Sequence, residues 1–130
     1  TKGSDFTVVS SGFSSKLALD SYHILAKHNV SLEVIDLRIL NPLDPSIIIE
    51  SVKKTKRLVV IDGGWKSCGM SAEIIASVLE RLDVNILISK PLRITLPDAP
   101  APSSSVLEKT YYPDTNLITK AILNIINKST

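Results

Sequence analysis

At 130 residues the chain has the length of one domain around one core. Its 15 basic and 13 acidic residues leave a formal charge of +2 with no basic stripe, so nothing in it tracks a nucleic-acid backbone. A hydrophobic content of 44% excludes a disordered chain, and its longest apolar runs, LVVI and III, are far too short to cross a bilayer.

The opening, TKGSD, reads as a linker without a charged-then-apolar leader. Residues 6–10, FTVVS, are β-branched and predict the first strand. Ser11-Gly12 breaks it, and Ser14 or Ser15 can cap the helix that follows, because a serine oxygen accepts an orphan N–H of a first turn. Leu17, Leu19 or Tyr22, Ile24, Leu25 and Val30 mark that helix's apolar face, and His28-Asn29 ends it. Residues 32–37 form the second strand. Asn41-Pro42 makes a turn, Asp44 caps a short helix at Pro45, and that helix stops near Lys54-Thr55.

Residues 58–61, LVVI, are apolar without alternation. A strand of that kind between helices belongs to a parallel sheet covered on both faces. Residues 70–82 predict a third helix with Ile74, Ile75, Val78, Leu79 and Leu82 inward. Residues 84–88 and 92–96 both read as strands, with 92–96 the better fit to the sheet. The stretch 97–105, PDAPAPSSS, is a loop, since proline cannot donate to a ladder. Pro113-Asp114 opens a last helix with Leu117, Ile118, Ala121, Ile122, Ile125 and Ile126 at helical spacing, and the NKST end frays. Alternating elements with no repeat predict a single three-layer α/β/α sandwich over residues 1–130.

Few residues carry a chemical signature. Cys68 is the single cysteine, which excludes an internal disulfide. As a nucleophile it would need a base, and the two histidines, His23 and His28, lie on a distant predicted helix. Those histidines are five positions apart, not the four of a helical metal pair, and read as surface residues. The turn 11–15, SGFSS, could hold an anion on backbone N–H groups. It lacks a dinucleotide or P-loop pattern, and a turn with a cap is its simpler reading. Asp62-Gly63-Gly64-Trp65 falls at a strand's carboxyl end, where open α/β sheets bind ligands. Trp65, read as a loop tryptophan, fits an interface plug better than a lone ligand contact. Arg38 can pair with a carboxylate within the domain or across an interface. No carboxylate pair has an acid–base setting.

Several motifs, in one order and spacing, resemble a known family. The opening matches G-x-D-x-T-x-V-S at Gly3, Asp5, Thr7, Val9 and Ser10. EVIDLR…PLD stands at Glu33, Val34, Ile35, Asp36, Leu37, Arg38, Pro42, Leu43 and Asp44. Residues 48–60 follow I-x-E-S-V-K-K-T-x-R-L-V-V, and G-W-x-x-x-G-x-x-A-E-I stands at Gly64, Trp65, Gly69, Ala72, Glu73 and Ile74. Pro91, Leu92, Arg93 and Ile94 resemble a P-x-R-V strand, and Pro100, Pro102, Leu107 and Glu108 a P-x-P…L-E loop. Together they resemble the C-terminal domain of the β subunit of thiamine-diphosphate-dependent 2-oxo acid dehydrogenases, the E1 component.

The resemblance implies a mostly parallel, mixed sheet of about five strands like the transketolase C-terminal domain. It implies a non-catalytic piece of a larger oxidoreductase, an E1 β-type or fused E1 chain. Thiamine diphosphate and magnesium would bind in other domains, so this domain is expected to hold no cofactor, metal or catalytic residue. Implied partners are the E1 α subunit or a fused α half, a second β subunit, and the subunit-binding domain of the E2 acyltransferase, with no nucleic acid or membrane. The implied location is the cytoplasm, or the mitochondrial matrix in a eukaryote. Interface candidates are Arg38, Asp62, Gly64, Trp65, Asp83 and Ser89. The chain inserts a few residues around 83–89, and Ser89-Lys90 stands where several family members carry an acid for E2, which moves that contact to a residue such as Asp83. Two alternatives remain: the C-terminal domain of transketolase or 1-deoxyxylulose-5-phosphate synthase, and a stand-alone α/β module binding a small molecule at 11–15 or 62–65.

Overall fold

The computed structural model describes residues 1–129. Four strands, β1 (Phe6–Ser10), β2 (Leu32–Asp36), β3 (Leu58–Trp65) and β4 (Leu92–Leu96), form one sheet in the order β2-β1-β3-β4, with every pair parallel. The helices are α1 (Phe13–Ala26), α2 (Ser46–Thr55), α3 (Met70–Leu79), α4 (Ser105–Tyr111) and α5 (Thr115–Ser129). The α/β class holds, but the sheet of the described residues has four parallel strands, not a mixed five. The difference lies at 84–88. Asp83 Oδ1 accepts from the Asn85 N–H at 2.9 Å, and residues Val84–Ile86 close into a 3-10 turn instead of a strand.

The sheet's alternation sorts the core into two layers. Phe6, Val8, Val59, Ile61 and Ile94 face α1 and α5, meeting Ala18, Leu25, Ile118 and Ile122. Val9, Ile35, Leu58 and Val60 face α2 and α3, meeting Ile48, Val52, Ile74 and Val78. This is the parallel sheet, covered on both faces, that LVVI predicts. Thr7, although buried, breaks the apolar pattern on the α2 side. Its hydroxyl lies 2.7 Å from both Ser51 and Thr55 of α2, and Thr55 donates on to the Arg57 carbonyl at 3.2 Å, so the buried hydroxyls are satisfied as a chain. Thr1 Oγ1 covers the outer edge of β2, donating to the Leu32 carbonyl and accepting from the Val34 N–H, both at 2.9 Å.

Two expected caps are placed differently. Gly12 is the N-cap of α1. Ser14 and Ser15 lie inside the first turn, because Asp36 draws the Ser15 hydroxyl away at 2.5 Å. Pro45 is the N-cap of α2, yet Asp44 still does the capping from one residue earlier. Its Oδ1 accepts from the Ser46 hydroxyl at 2.6 Å and the Ser46 N–H at 3.0 Å, which together hold its carboxyl below the usual range. Helix α3 ends at Leu79 rather than at 82. Helix α4 is absent from the sequence expectation, which places a loop at 97–105 and assigns no element between it and Pro113. Of the tail expected to fray, residues 127–129 are helical and Thr130 lies outside the described residues.

Candidate functional site

Strand β3 does not stop at Ile61 but runs to Trp65, so Asp62-Gly63-Gly64-Trp65 is strand, not loop. Its pairing with β4 shifts between Ile61 and Trp65, and this bulge re-aims the strand's end. The sheet's carboxyl end, built by the segments that follow each strand, forms a rim. Arg38, Asp62, Gly64 and Trp65 lie on it.

The rim's polar groups hold it together. Asp62 ties β3 to the start of α3, with Oδ2 accepting from the Ser71 N–H at 2.7 Å and Oδ1 from the Gly64 N–H at 2.9 Å. The carboxylate thereby caps a helix end and suits its dipole. Gly69 is required where the turn closes, because a Cβ there would lie 2.1 Å from the Trp65 carbonyl oxygen. Asp98, beyond β4, accepts from the Ser67 N–H at 2.9 Å and the Ser67 hydroxyl at 2.7 Å, which hold its carboxyl below the usual range. Arg93 donates to the Lys66 carbonyl at 2.9 Å. Trp65 Nε1 donates to the Tyr111 hydroxyl at 3.2 Å, which donates to the Ala99 carbonyl at 2.6 Å. Arg38 pairs through Nε with Asp36 Oδ2 at 3.0 Å, within the domain.

Between these contacts the rim is apolar and open. Trp65 is 54% exposed despite its hydrogen bond. Phe13 follows β1, Ile39 and Leu40 follow β2, and Val106, Leu107 and Tyr112 follow β4, all exposed. Helix α4 buries none of its residues. Seven residues cannot hold a helix in water on propensity alone. Beneath α4 a 360 Å³ depression is lined by Lys66, Leu96, Tyr111, Tyr112 and Leu117 among others.

Asp83 and Ser89 are not part of this rim. They flank the 3-10 turn ahead of β4, where the Ile88 N–H bonds the Lys56 carbonyl, at the sheet's amino end. Roughly a strand's length, ~17 Å for five residues, separates the two ends. Asp83 is exposed and bonded to Asn85, while the Ser89 hydroxyl is enclosed and has no hydrogen-bond partner among the described residues, beside a 440 Å³ depression lined by Leu79, Val84, Leu87, Ile88, Lys90 and Pro91. The six candidates thus divide between two surfaces. The rim residues that sequence reasoning missed are Tyr111, Asp98 and Ser67, whose pairings span 31 to 46 positions and leave no local pattern.

The residues present do not fit thiamine diphosphate with magnesium. Among the described residues no three His, Cys, Asp or Glu side chains gather as metal ligands, and Asp62 is engaged in capping. Cys68 is exposed, at φ 55°, with no histidine near it in sequence.

The fold is a four-stranded parallel α/β domain whose carboxyl rim exposes large apolar side chains. Over residues 1–118 the chain matches the model of the transketolase C-terminal domain. It belongs to that family. It is 39% identical over 126 residues to the pyruvate dehydrogenase E1 component subunit beta of Rickettsia felis, covering 95% of this chain and 38% of that one. It is 36% identical over 127 residues to the mitochondrial subunit beta of Saccharomyces cerevisiae, covering 97% and 35%. The human mitochondrial subunit beta is 36% identical over 126 residues, with the same 97% and 35%. The chain therefore spans little more than a third of the length of these relatives. A solved split-gene transketolase, described as an inactive beta4 tetramer, shares the fold with a TM-score of 0.83 at 19% identity, covering 99% of this chain and 41% of that one. Among the described residues no helix is long and apolar enough to cross a membrane.

Proposed function

We propose that this chain is the non-catalytic assembly domain of a pyruvate dehydrogenase-type E1 β subunit, and that its carboxyl rim is a subunit interface. The observation that carries the reading is the open apolar rim around Trp65, fixed by polar contacts yet left uncovered. The relatives' names support the enzyme class: oxidative decarboxylation of a 2-oxo acid by a larger enzyme that holds thiamine diphosphate and magnesium in other domains. In this reading the rim's partners are a second β subunit and the α subunit, in the cytoplasm or the mitochondrial matrix. The 36–39% identity to E1 β subunits favours them over transketolase, whose solved relative is 19% identical.

The amino-end surface of Asp83 and Ser89 is the place for the E2 subunit-binding domain. A basic partner there needs carboxylates to steer it, and Ser89-Lys90 supplies none, so Asp83 carries that contact or the docking is weak.

Sedimentation velocity across a concentration series tests the interface. The native chain should show a rising average sedimentation coefficient, and Trp65→Ala with Leu107→Ser should abolish the rise with far-UV circular dichroism intact. A native chain that stays monomeric at millimolar concentration would count against the reading. Calorimetry should also detect no micromolar binding of thiamine diphosphate with magnesium.

A further inference from the structure

Helix α4 is fastened to the rest of the fold at one point. Every residue from Ser105 to Thr110 is exposed, and Tyr111 alone is partly covered. Among the described residues, the hydrogen bonds that tie α4 to other segments all meet at the Tyr111 hydroxyl, which accepts from Trp65 Nε1 and donates to the Ala99 carbonyl. The N-cap, Ser104, makes no side-chain bond to the first turn. Other bonds are internal: the Glu108 N–H to the Ser104 carbonyl, the Tyr112 N–H to the Glu108 carbonyl, and the Thr110 hydroxyl to the Leu107 carbonyl.

The flanks let such a helix move as a unit. Before it, Pro97, Pro100 and Pro102 stiffen an arm that the Ser67–Asp98 clamp anchors near its start. After it, Pro113 favours an extended Tyr112, which stands at φ −86° and ψ 133° and ends the helix. A short helix that buries nothing has no apolar burial to offset the chain entropy lost in forming it. Its opening therefore needs little more than the Tyr111 bonds to break, and both core layers stay in place. The exposed Val106, Leu107 and Tyr112 are held on the rim only while α4 is closed. The depression beneath it, walled by Thr110, Tyr111 and Tyr112, likewise exists only then.

We propose that α4 is a strap that opens and closes on Tyr111 independently of the core, and that the subunit contacting the rim holds it closed. The second part rests on the rim's being a subunit interface; the first does not. A partner seated on the rim meets Val106, Leu107 and Tyr112 together in the closed state alone. It binds that state more tightly and shifts the equilibrium towards it. Assembly thus completes a surface that the free chain presents only part of the time, and the cost of ordering α4 lowers the affinity of the contact.

The test is hydrogen–deuterium exchange read residue by residue on the 130-residue chain, first at a dilution where sedimentation shows monomers and then at rising concentration. In the monomer the Glu108 and Tyr112 amides should exchange only about ten- to a hundredfold slower than in an unstructured peptide, the protection that two hydrogen bonds supply. The Val8 and Val60 amides of the central strands should be slower by orders of magnitude. Association should slow the α4 amides further. Thr110→Ala, which raises helix propensity at an exposed position, should increase α4 protection about threefold and tighten self-association by a similar factor. Amides in α4 as protected as those of the core would overturn the strap, whatever the rim does. Weakly protected α4 amides in a chain that never associates would support the strap and overturn its coupling to a partner. Better protection in Thr110→Ala with unchanged association would overturn that coupling too.

Discussion

Trp65 and Tyr111, 46 positions apart, meet through a hydrogen bond from the indole Nε1 to the phenol oxygen at 3.2 Å. The same phenol grips the Ala99 carbonyl at 2.6 Å. Three segments are thus fastened at one oxygen: the end of β3, the proline-rich stretch after β4, and α4, which buries nothing of its own. Tyr111→Phe should release α4 while leaving the core untouched. Amide exchange over residues 105–111 should rise about tenfold, as expected from losing hydrogen bonds of about 1 kcal/mol each, with the melting temperature nearly unchanged. Unchanged exchange would show that α4 is held by something else.

The Ser67–Asp98 clamp should open in acid. Its carboxyl is held below the usual aspartate range by the Ser67 N–H and hydroxyl. A folded-state value lowered in this way stabilises the clamp above the ordinary range, near pH 4, and the contribution is lost as pH falls through the lowered value. The Ser67 amide should therefore begin to exchange faster below about pH 4. Asp98→Asn should remove that pH dependence.

Glu33 responds in the same direction at the other end of the sheet. Burial alone pushes its carboxyl up, but bonds from Lys54, the Gly3 N–H and Ser51, with the Lys54 charge, bring it below the usual range. Its contribution is present above the ordinary glutamate value and is lost as pH falls through the lowered one. Glu33→Gln should flatten the acid limb of the stability curve measured by urea titration at successive pH values.

The buried hydroxyl chain gives a stability prediction. Thr7→Val removes the central oxygen and takes one hydrogen bond each from the buried Ser51 and Thr55. Unfolding by urea should show a loss of about 1–2 kcal/mol, the contribution of two hydrogen bonds of about 1 kcal/mol or less each. Ile122→Ala, on the opposite face and fully buried, should cost about 2–5 kcal/mol through the cavity it leaves.

The sheet's core is legible in the sequence because LVVI and FTVVS carry no alternation, and helix periods flank them. The end of β3 is not, because Asp62-Gly63-Gly64 has the composition of a turn and only the bulge against β4 keeps it in the sheet. Residues 84–88 are apolar enough for a strand, and the Asp83 contact to Asn85 decides for a turn. Helix α4 spans two turns, too few for a periodic signal. The rim is legible in part. Strand ends point to Arg38, Asp62, Gly64 and Trp65, but a linear pattern holds no trace of the distance that separates them from Asp83 and Ser89. Tyr111 and Asp98 emerge only once β3 and β4 lie side by side.

Hydroxyl-radical footprinting at rising protein concentration tests the rim most directly. Subunit contact there predicts that Trp65, Phe13, Leu107 and Tyr112 lose reactivity together as concentration rises, while Ile47, Val84 and Ile88, exposed elsewhere on the molecule, keep theirs. Rim residues that stay fully reactive while those others become protected would contradict it.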